Sequence, residues 1–206
     1  MTDRYVALAR LGTATVHEAA GRAPVIDAPL IQIVPGSRAA GPARTVRCGQ
    51  GDNLMVHAAV AEAEPGEVLV VTMPEPRPVA LVGELLATQA KVAGVVAVLV
   101  DAAVRDVEEL REVGLPIWAR YVRVSGAEKR TRGLIGVPVE VAGAHIRQGD
   151  VVVLDADGAV VVERERIDAV LASAVAREER EREKRVKLEA GELSYDLDGL
   201  RDLVES

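Results

Sequence analysis

The chain has 206 residues and a formal net charge of −7, with 49% hydrophobic, 28% charged and only 2% aromatic residues, none of them Phe. This is the composition of one soluble globular domain with a sizeable core; the acidic balance and scarce aromatics argue against nucleic acid or an anionic membrane as the main partner. The single Cys48 excludes an internal disulfide, the N-terminal stretch has no signal-peptide pattern, and no run reaches the roughly 18 apolar residues of a membrane span, so the expectation is a cytoplasmic protein.

Without Phe the core must come from Val, Leu, Ile and Ala, and short Val-rich runs favour strands buried on both faces, hence an α/β protein. In chain order, "LGTATVHEAAGR" predicts a short helix capped by Thr13 or Thr15, running through His17 to Ala20 and stopped by Gly21. "GPARTVRC" reads as a strand. "GQGDNLMVHAAVAEAEPG" offers Asp52 or Asn53 as a cap, a helix from Leu54 to about Ala63, and Pro65-Gly66 as terminator. The strand "EVLVVTM" and the stiff loop "PEPRP" lead to a helix from Gly83 to Val92, closed by Gly94. "VVAVLV" is the next strand, Val107–Val113 a helix ending at Gly114, and "PIWARYV" another strand.

After the polar loop "SGAEKRTRG" the pattern is β only, with "VVVLDADGAVVV" a hairpin turning at Asp157-Gly158. From about Arg166 the chain turns helical, apolar at Ile167, Val170, Leu171, Ala174 and Val175, then almost purely charged in "AREEREREKRVK". The expected architecture is a layered α/β/β-type domain over 1–165, with a central mixed sheet, βαβ units and a C-terminal hairpin. A helical C-terminal arm over 166–206, for which the resemblance described below implies contact with neighbouring subunits, completes it.

One apolar stretch carries charge at both ends: "GELLATQAKVAGVVAVLVDAAVRD" holds Glu84 near its start and Arg105-Asp106 at its close, twenty residues on. A helix descending about 15 Å and a strand climbing about 20 Å return the chain to the edge it left. Glu84, Arg105 and Asp106 should therefore meet at the carboxyl ends of the strands, where open α/β sheets place their sites. That rim also offers the free amides of Gly83, Glu84, Leu85 and Leu86 to a carboxylate. Such a set suits a small acid bridged to Mg²⁺ or Mn²⁺. The plainer alternative makes Asp106 the cap of the helix at Val107 and Glu84 a partner of its own helix dipole.

These segments resemble the class II pyruvate aldolases that cleave 4-hydroxy-4-methyl-2-oxoglutarate and 4-carboxy-4-hydroxy-2-oxoadipate, a family sharing its fold with the regulator of ribonuclease E activity A. The aldolase pattern, an acidic residue, twenty residues, then Arg-Asp, is matched by Glu84, Arg105 and Asp106. "LGTATVHEAAGR", "GPARTV", "GDNLMVHAAV", "PGEVLVV", "GELLATQAK" and "KLEAGELSYDLDGLR" extend the likeness over nearly the whole chain. Glu84 departs from the usual Asp, and "SYDLDGLR" from the usual tail.

The resemblance implies that Asp106 ligates Mg²⁺ or Mn²⁺ and that Glu84 holds a metal-bound water. It places pyruvate's carboxylate on the amides of Gly83 to Leu86, and Arg105 with the metal on the keto oxygen. A water or hydroxide near the metal takes the substrate's hydroxyl proton, and oxaloacetate decarboxylation is a side activity. The resemblance also implies homotrimers or hexamers in which Glu178 or Glu181 reaches a neighbour's site. The rival expectation is a non-enzymatic regulator binding ribonuclease E, whose relatives lack the aspartate of the Arg-Asp pair.

Other signals are weaker. "GQGDNL" starts like a dinucleotide fingerprint but has Leu54 at the third glycine's place. Cys48 reads as a buried strand residue, and Lys91, a candidate Schiff-base lysine, falls at the far end of its helix. His17, His57 and His145 lack metal-ligand spacing; for His17 and His57, a structural role and a place in the pocket wall both stay open.

Overall fold

In the computed structural model, which describes residues 3–22 and 24–205, the Val-rich runs form one twisted sheet. Its parallel centre comprises β2 (Ala39–Arg47), β3 (Val68–Thr72), β5 (Ala97–Val104) and β6 (Ile117–Val122), joined in the order β6-β5-β3-β2. Antiparallel strands flank it: β1 (Ile31–Gln32) beside β6, and the hairpin β10 (Val151–Asp155) and β11 (Gly158–Val162) beside β2. The short β4 (Ala80–Val82) pairs parallel with the end of β5, and β7 (Leu134–Ile135) pairs with β2. The sheet is mixed, as expected from the sequence.

Period-two alternation sends successive side chains to two cores. Val71, Val98, Val100 and Ile117 pack under α3 (Leu54–Ala61), α4 (Glu84–Val92) and α5 (Val107–Val113). Val70, Leu99 and Trp118 face a second β layer built from β8 (Val139–Val141), β9 (Ala144–Ile146) and the β10–β11 hairpin. This is why the strands read as continuous apolar runs. A third cluster joins Leu8 of α1 (Asp3–Leu11), Val16 of α2 (Thr13–Ala19) and the hairpin to Ile167, Val170 and Ala174 of α6 (Ile167–Glu189). The first half of α6 is thus a core element, while its charged second half, α7 (Ser194–Leu197) and α8 (Leu200–Glu205) bury no side chain. Among the described residues no helix is long and apolar enough to cross a membrane.

Several local expectations need correction. Helix α1 has no counterpart among the elements expected from the sequence, and β5 continues through Asp101–Val104, giving eight buried residues rather than six. The hairpin turns at Ala156-Asp157, because Asp155 pairs with Gly158 and that glycine (φ +135°) is already the first residue of β11. Neither Thr13 nor Thr15 caps α2: Gly12 holds the cap position, and the cap is supplied from the hairpin by Asp155. Its carboxylate accepts the Thr13 amide at 2.8 Å and the Thr13 hydroxyl at 2.7 Å.

Candidate functional site

Two adjacent parallel strands bring Arg105-Asp106 to the backbone of Gly83-Glu84, while the Glu84 side chain does not line the cavity beside them. Strand β4 runs beside the end of β5, with Val82 opposite Val104 and the Arg105 amide donating to Val82 O at 3.1 Å. The residues just past each strand, Gly83-Glu84 after β4 and Arg105-Asp106 after β5, must then share one rim. Contact is close: a Cβ on Gly83 would lie 2.6 Å from Asp106 Oδ2, so the carboxylate could not keep its present place over a larger residue.

Asp106 holds the N-cap position of α5 in a left-handed backbone (φ 61°, ψ 48°), but its side chain makes no cap bond to that helix, against that part of the plainer alternative; Glu84 does stand in the first turn of α4. Its carboxylate crosses to α4, where Oδ2 accepts the Glu84 amide at 3.2 Å, and it stands 3.6 Å from Arg105 Nε. A carboxylate therefore already answers the first free amide of α4, as expected where unpaired N–H groups and the helix dipole coincide. The Glu84 carboxylate turns back along α4 to accept the Thr88 hydroxyl at 3.1 Å.

Gly83, Leu85, Leu86, Arg105 and Asp106 line a cavity of about 140 Å³, and its far wall carries Asn53, His57 and Lys129. Sequence patterning alone does not point to Asn53 or Lys129, and it leaves the role of His57 open. Asn53 and His57 sit one helical turn apart at the start of α3, so they share a face. Asn53 is 8% exposed; its amide donates to Leu81 O at 2.9 Å, but its Oδ1 has no partner, and neither has the buried Nε2 of His57. Burial, and next the Lys129 charge, lower the His57 pKa, which favours the neutral imidazole. Asn53 Oδ1 and His57 Nε2 thus leave hydrogen-bonding capacity inside one small cavity, open to a water or a ligand.

Lys129 arrives on the polar loop 123–133, which is stitched across the rim. The Ala80 amide donates to Ser125 O at 2.7 Å and the Asn53 amide to Glu128 O at 2.9 Å. Asp52, 1% exposed, accepts the Arg130 and Thr131 amides at 2.6 and 2.8 Å, while its Oδ1 takes the Leu54 amide at 2.8 Å to start α3. One carboxylate thus fixes both the helix bearing Asn53 and His57 and the loop bearing Lys129. Gly126 of this loop packs on Arg105, since a Cβ there would lie 2.6 Å from Nη1.

The remaining candidates lie elsewhere. His17 lines a separate cavity with Asp27 and Asp157. Lys91 donates to Val113 O at the opposite end of α4 from Gly83. Burial, and next Asp52, push the buried Cys48 thiol up to about 12, which leaves it unreactive at neutral pH. Glu178 pairs with Arg10 at 2.7 Å and Glu181 with Arg177 at 2.8 Å, both within their own chain.

The family model described as Aldolase/RraA, of the RraA-like family, matches residues 13–161. The chain belongs to the RraA-like family. A Halalkalibacterium halodurans protein bearing a provisional 4-hydroxy-4-methyl-2-oxoglutarate aldolase name is 37% identical over 134 residues, which cover 65% of this chain and 64% of that protein. The chain therefore spans just under two thirds of that relative's length. Among solved structures, Streptomyces coelicolor RraAS2, described as an unusual member of the RNase ES inhibitor RraA family, superposes with a TM-score of 0.79. It is 28% identical, covering 90% of this chain and 96% of that one. The RNA-processing inhibitor RraA from Thermus thermophilis gives a TM-score of 0.68 and 30% identity over 73% of this chain and 91% of its own. This RraA-like family thus includes both an aldolase-named relative and RNA-processing inhibitors.

Proposed function

We propose that this chain is a divalent-metal-dependent pyruvate aldolase that cleaves 4-hydroxy-4-methyl-2-oxoglutarate or a related 4-hydroxy-2-oxo acid, with oxaloacetate decarboxylation as a side activity. The observation that carries the reading is the convergence of Arg105 and Asp106 on the start of α4 beside one small cavity. The aldolase-named relative supports it, and so does the aspartate that completes the Arg-Asp pair.

The donor set limits how a metal could be held. Among the described residues no three His, Cys, Asp or Glu side chains converge to hold an ion, so an all-protein cage does not fit. One half-exposed carboxylate at an open rim does fit Mg²⁺ or Mn²⁺, which keep most of their waters and add one or two carboxylates and substrate oxygens. Asp106 would hold the ion and Glu84 one of its waters, and the ion would supply Lewis acidity at the keto oxygen.

In this reading the first-turn amides from Gly83 to Leu86 hold the substrate's carboxylate, sharing the helix terminus with Asp106. Arg105 contacts the keto oxygen. When the C3–C4 bond breaks, its electrons pass through C3 to that oxygen, where the guanidinium stabilises the developing charge more than it stabilises the ground state. Asn53 Oδ1 and neutral His57 are placed to accept hydrogen bonds from the substrate or its waters. Assembly as a homotrimer or hexamer with sites between subunits is part of the same proposal.

The test is pyruvate release from a panel of 4-hydroxy-2-oxo acids, with and without EDTA. Activity should require added Mg²⁺ or Mn²⁺ and vanish on chelation. Full turnover in excess EDTA, with borohydride trapping an adduct on Lys129, would replace metal chemistry with Schiff-base chemistry. No turnover of any member, with tight binding to ribonuclease E, would favour the regulator.

A further inference from the structure

We infer that Asp101 and Arg120 are positioning residues for the site: their ion pair pins an extra residue in β5, and that residue sets where Arg105 and Asp106 emerge at the rim. The inference rests on the aldolase reading for its kinetic consequence and on the sheet alone for its geometry.

Strands β5 and β6 start in step, with Val98 opposite Ile117, Leu99 opposite Trp118 and Val100 opposite Ala119. They resume with Ala103 opposite Tyr121 and Val104 opposite Val122, so Asp101 and Ala102 together face the single Arg120. This is a β-bulge, a rare feature between parallel strands. The other edge of β5 changes neighbour at the same place: pairing with β3 ends at Val71–Val100, and pairing with β4 begins at Ala80–Ala103. Regular pairing thus lapses on both sides of Asp101-Ala102, just before the segment that ends in Arg105-Asp106.

Past that point the strand is tied again, the Ala103 amide donating to Val79 O at 3.1 Å and the Arg123 amide to Val104 O at 3.0 Å. Were the two strands to stay in step beyond Ala119, Val104 would lie opposite Arg123 instead of Val122. Arg105 and Asp106 would then stand one residue, about 3.3 Å, further along β6. The hydrogen bond from the Glu84 amide to Asp106, at 3.2 Å, would not survive that shift.

Asp101 is the one charged residue of β5, whose eight residues are all buried. Its side chain is 4% exposed and accepts Arg120 Nε at 2.6 Å, with Arg120 Nη2 beside the same oxygen. Burial raises the Asp101 pKa more than Arg120 lowers it, so the charged carboxylate is held against its solvation preference. Apolar side chains could fill such a place with equal or greater stability; what a buried ion pair supplies here is a fixed register.

The test uses Asp101→Asn, which keeps the shape but not the charge, and Arg120→Lys, which keeps the charge. A misplacement of about 1 Å at a reacting centre can lower a rate about 10²-fold, so Asp101→Asn should cleave 4-hydroxy-4-methyl-2-oxoglutarate with kcat/KM lower by about tenfold or more. The loss should fall on kcat, because the α4 amides that bind the carboxylate keep their place. Arg120→Lys should keep most of the activity, since both Arg120 nitrogens reach one oxygen that an ammonium can also reach. Amide hydrogen exchange in the metal-free protein is a readout separate from turnover. The Glu84 and Arg105 amides should exchange at least about tenfold faster in Asp101→Asn, while the Val98 amide, before the bulge, stays as protected as in wild type. If Asp101→Asn fails to fold, Arg120→Gln, at a half-buried position, is judged by the same readouts. Wild-type exchange at Glu84 and Arg105 in the folded variant overturns the inference, and so does an equal rise along the whole of β5. A wild type that releases no pyruvate overturns the aldolase reading instead, and the exchange measurement still decides the positioning role.

Discussion

Asp106 owes the place of its carboxylate to one backbone choice. A left-handed residue costs little for Asp or Asn and about 1–2 kcal/mol for most others. Here that conformation turns the carboxylate away from α5 and onto α4. Asp106→Asn should keep both the backbone and an oxygen for the Glu84 amide, so its melting temperature should stay close to wild type. It discards the charge that a hard cation seeks, so the metal concentration for half activity should rise at least about tenfold, or about 1.4 kcal/mol. A metal titration of pyruvate release decides; unaltered metal dependence in a folded variant would remove Asp106 as a ligand. Asp106→Ala is the poorer probe, since it adds backbone strain to the lost charge. For Arg105→Lys, steady-state kinetics should show kcat/KM lower by about 10²-fold, near 2.7 kcal/mol, because an ammonium keeps the charge but not the planar fork. The Arg-Asp pair was legible because its spacing from Glu84 encodes a helix and a returning strand. Asn53 and Lys129 were not, because only the folded loop brings them to the rim.

The same contrast holds for whole elements. Helices α3, α4 and α5 could be placed from local signals: Asp52 before Leu54, Gly94 after α4 (φ +86°), Gly114 after α5 (φ +68°). Strand β4 could not, because its three residues become a strand only by pairing with β5, a non-local event to which local propensity is blind. The 125–133 stretch read only as a polar loop, yet Asp52 gives it a fixed path. Burial pushes the Asp52 pKa up, but hydrogen bonds from the amides of Arg130, Leu54 and Thr131 outweigh it and hold the carboxyl below its ordinary value. A carboxyl whose folded pKa is depressed stabilises the fold above its unfolded value, near 3.9, and loses that contribution as pH falls through the folded value. Urea midpoints between pH 3 and 7 should therefore fall on the acid side. Asp52→Asn should flatten that limb and cost about 1–2 kcal/mol at pH 7 through a weakened amide network. An acid limb identical in both proteins would mean that Asp52 does not anchor the loop through its charge.

At the scale of the whole molecule, the three cores leave the second half of α6 and the helices after it outside the packed body. The charged run of α6 is where a site shared between subunits would draw its extra carboxylate. Glu178 is held by both Nη atoms of Arg10, at 2.7 and 2.8 Å, whereas Glu181 makes an i,i+4 pair with Arg177, a contact worth only about a few tenths of a kcal/mol on an exposed helix. Glu181 is therefore the carboxylate more easily released to a neighbour. Two inactive partners can test this: Asp106→Ala, which keeps Glu181, and Glu181→Gln, which keeps Asp106. If each site takes Asp106 from one subunit and Glu181 from the next, co-refolding the two in equal amounts should rebuild intact sites at about a quarter of the interfaces of a closed ring, the random-mixing fraction. Pyruvate release should then reach about a quarter of the wild-type rate, far above either parent. A mixture no more active than the mean of its parents, in particles shown to contain both variants, would mean that Glu181 serves its own chain alone.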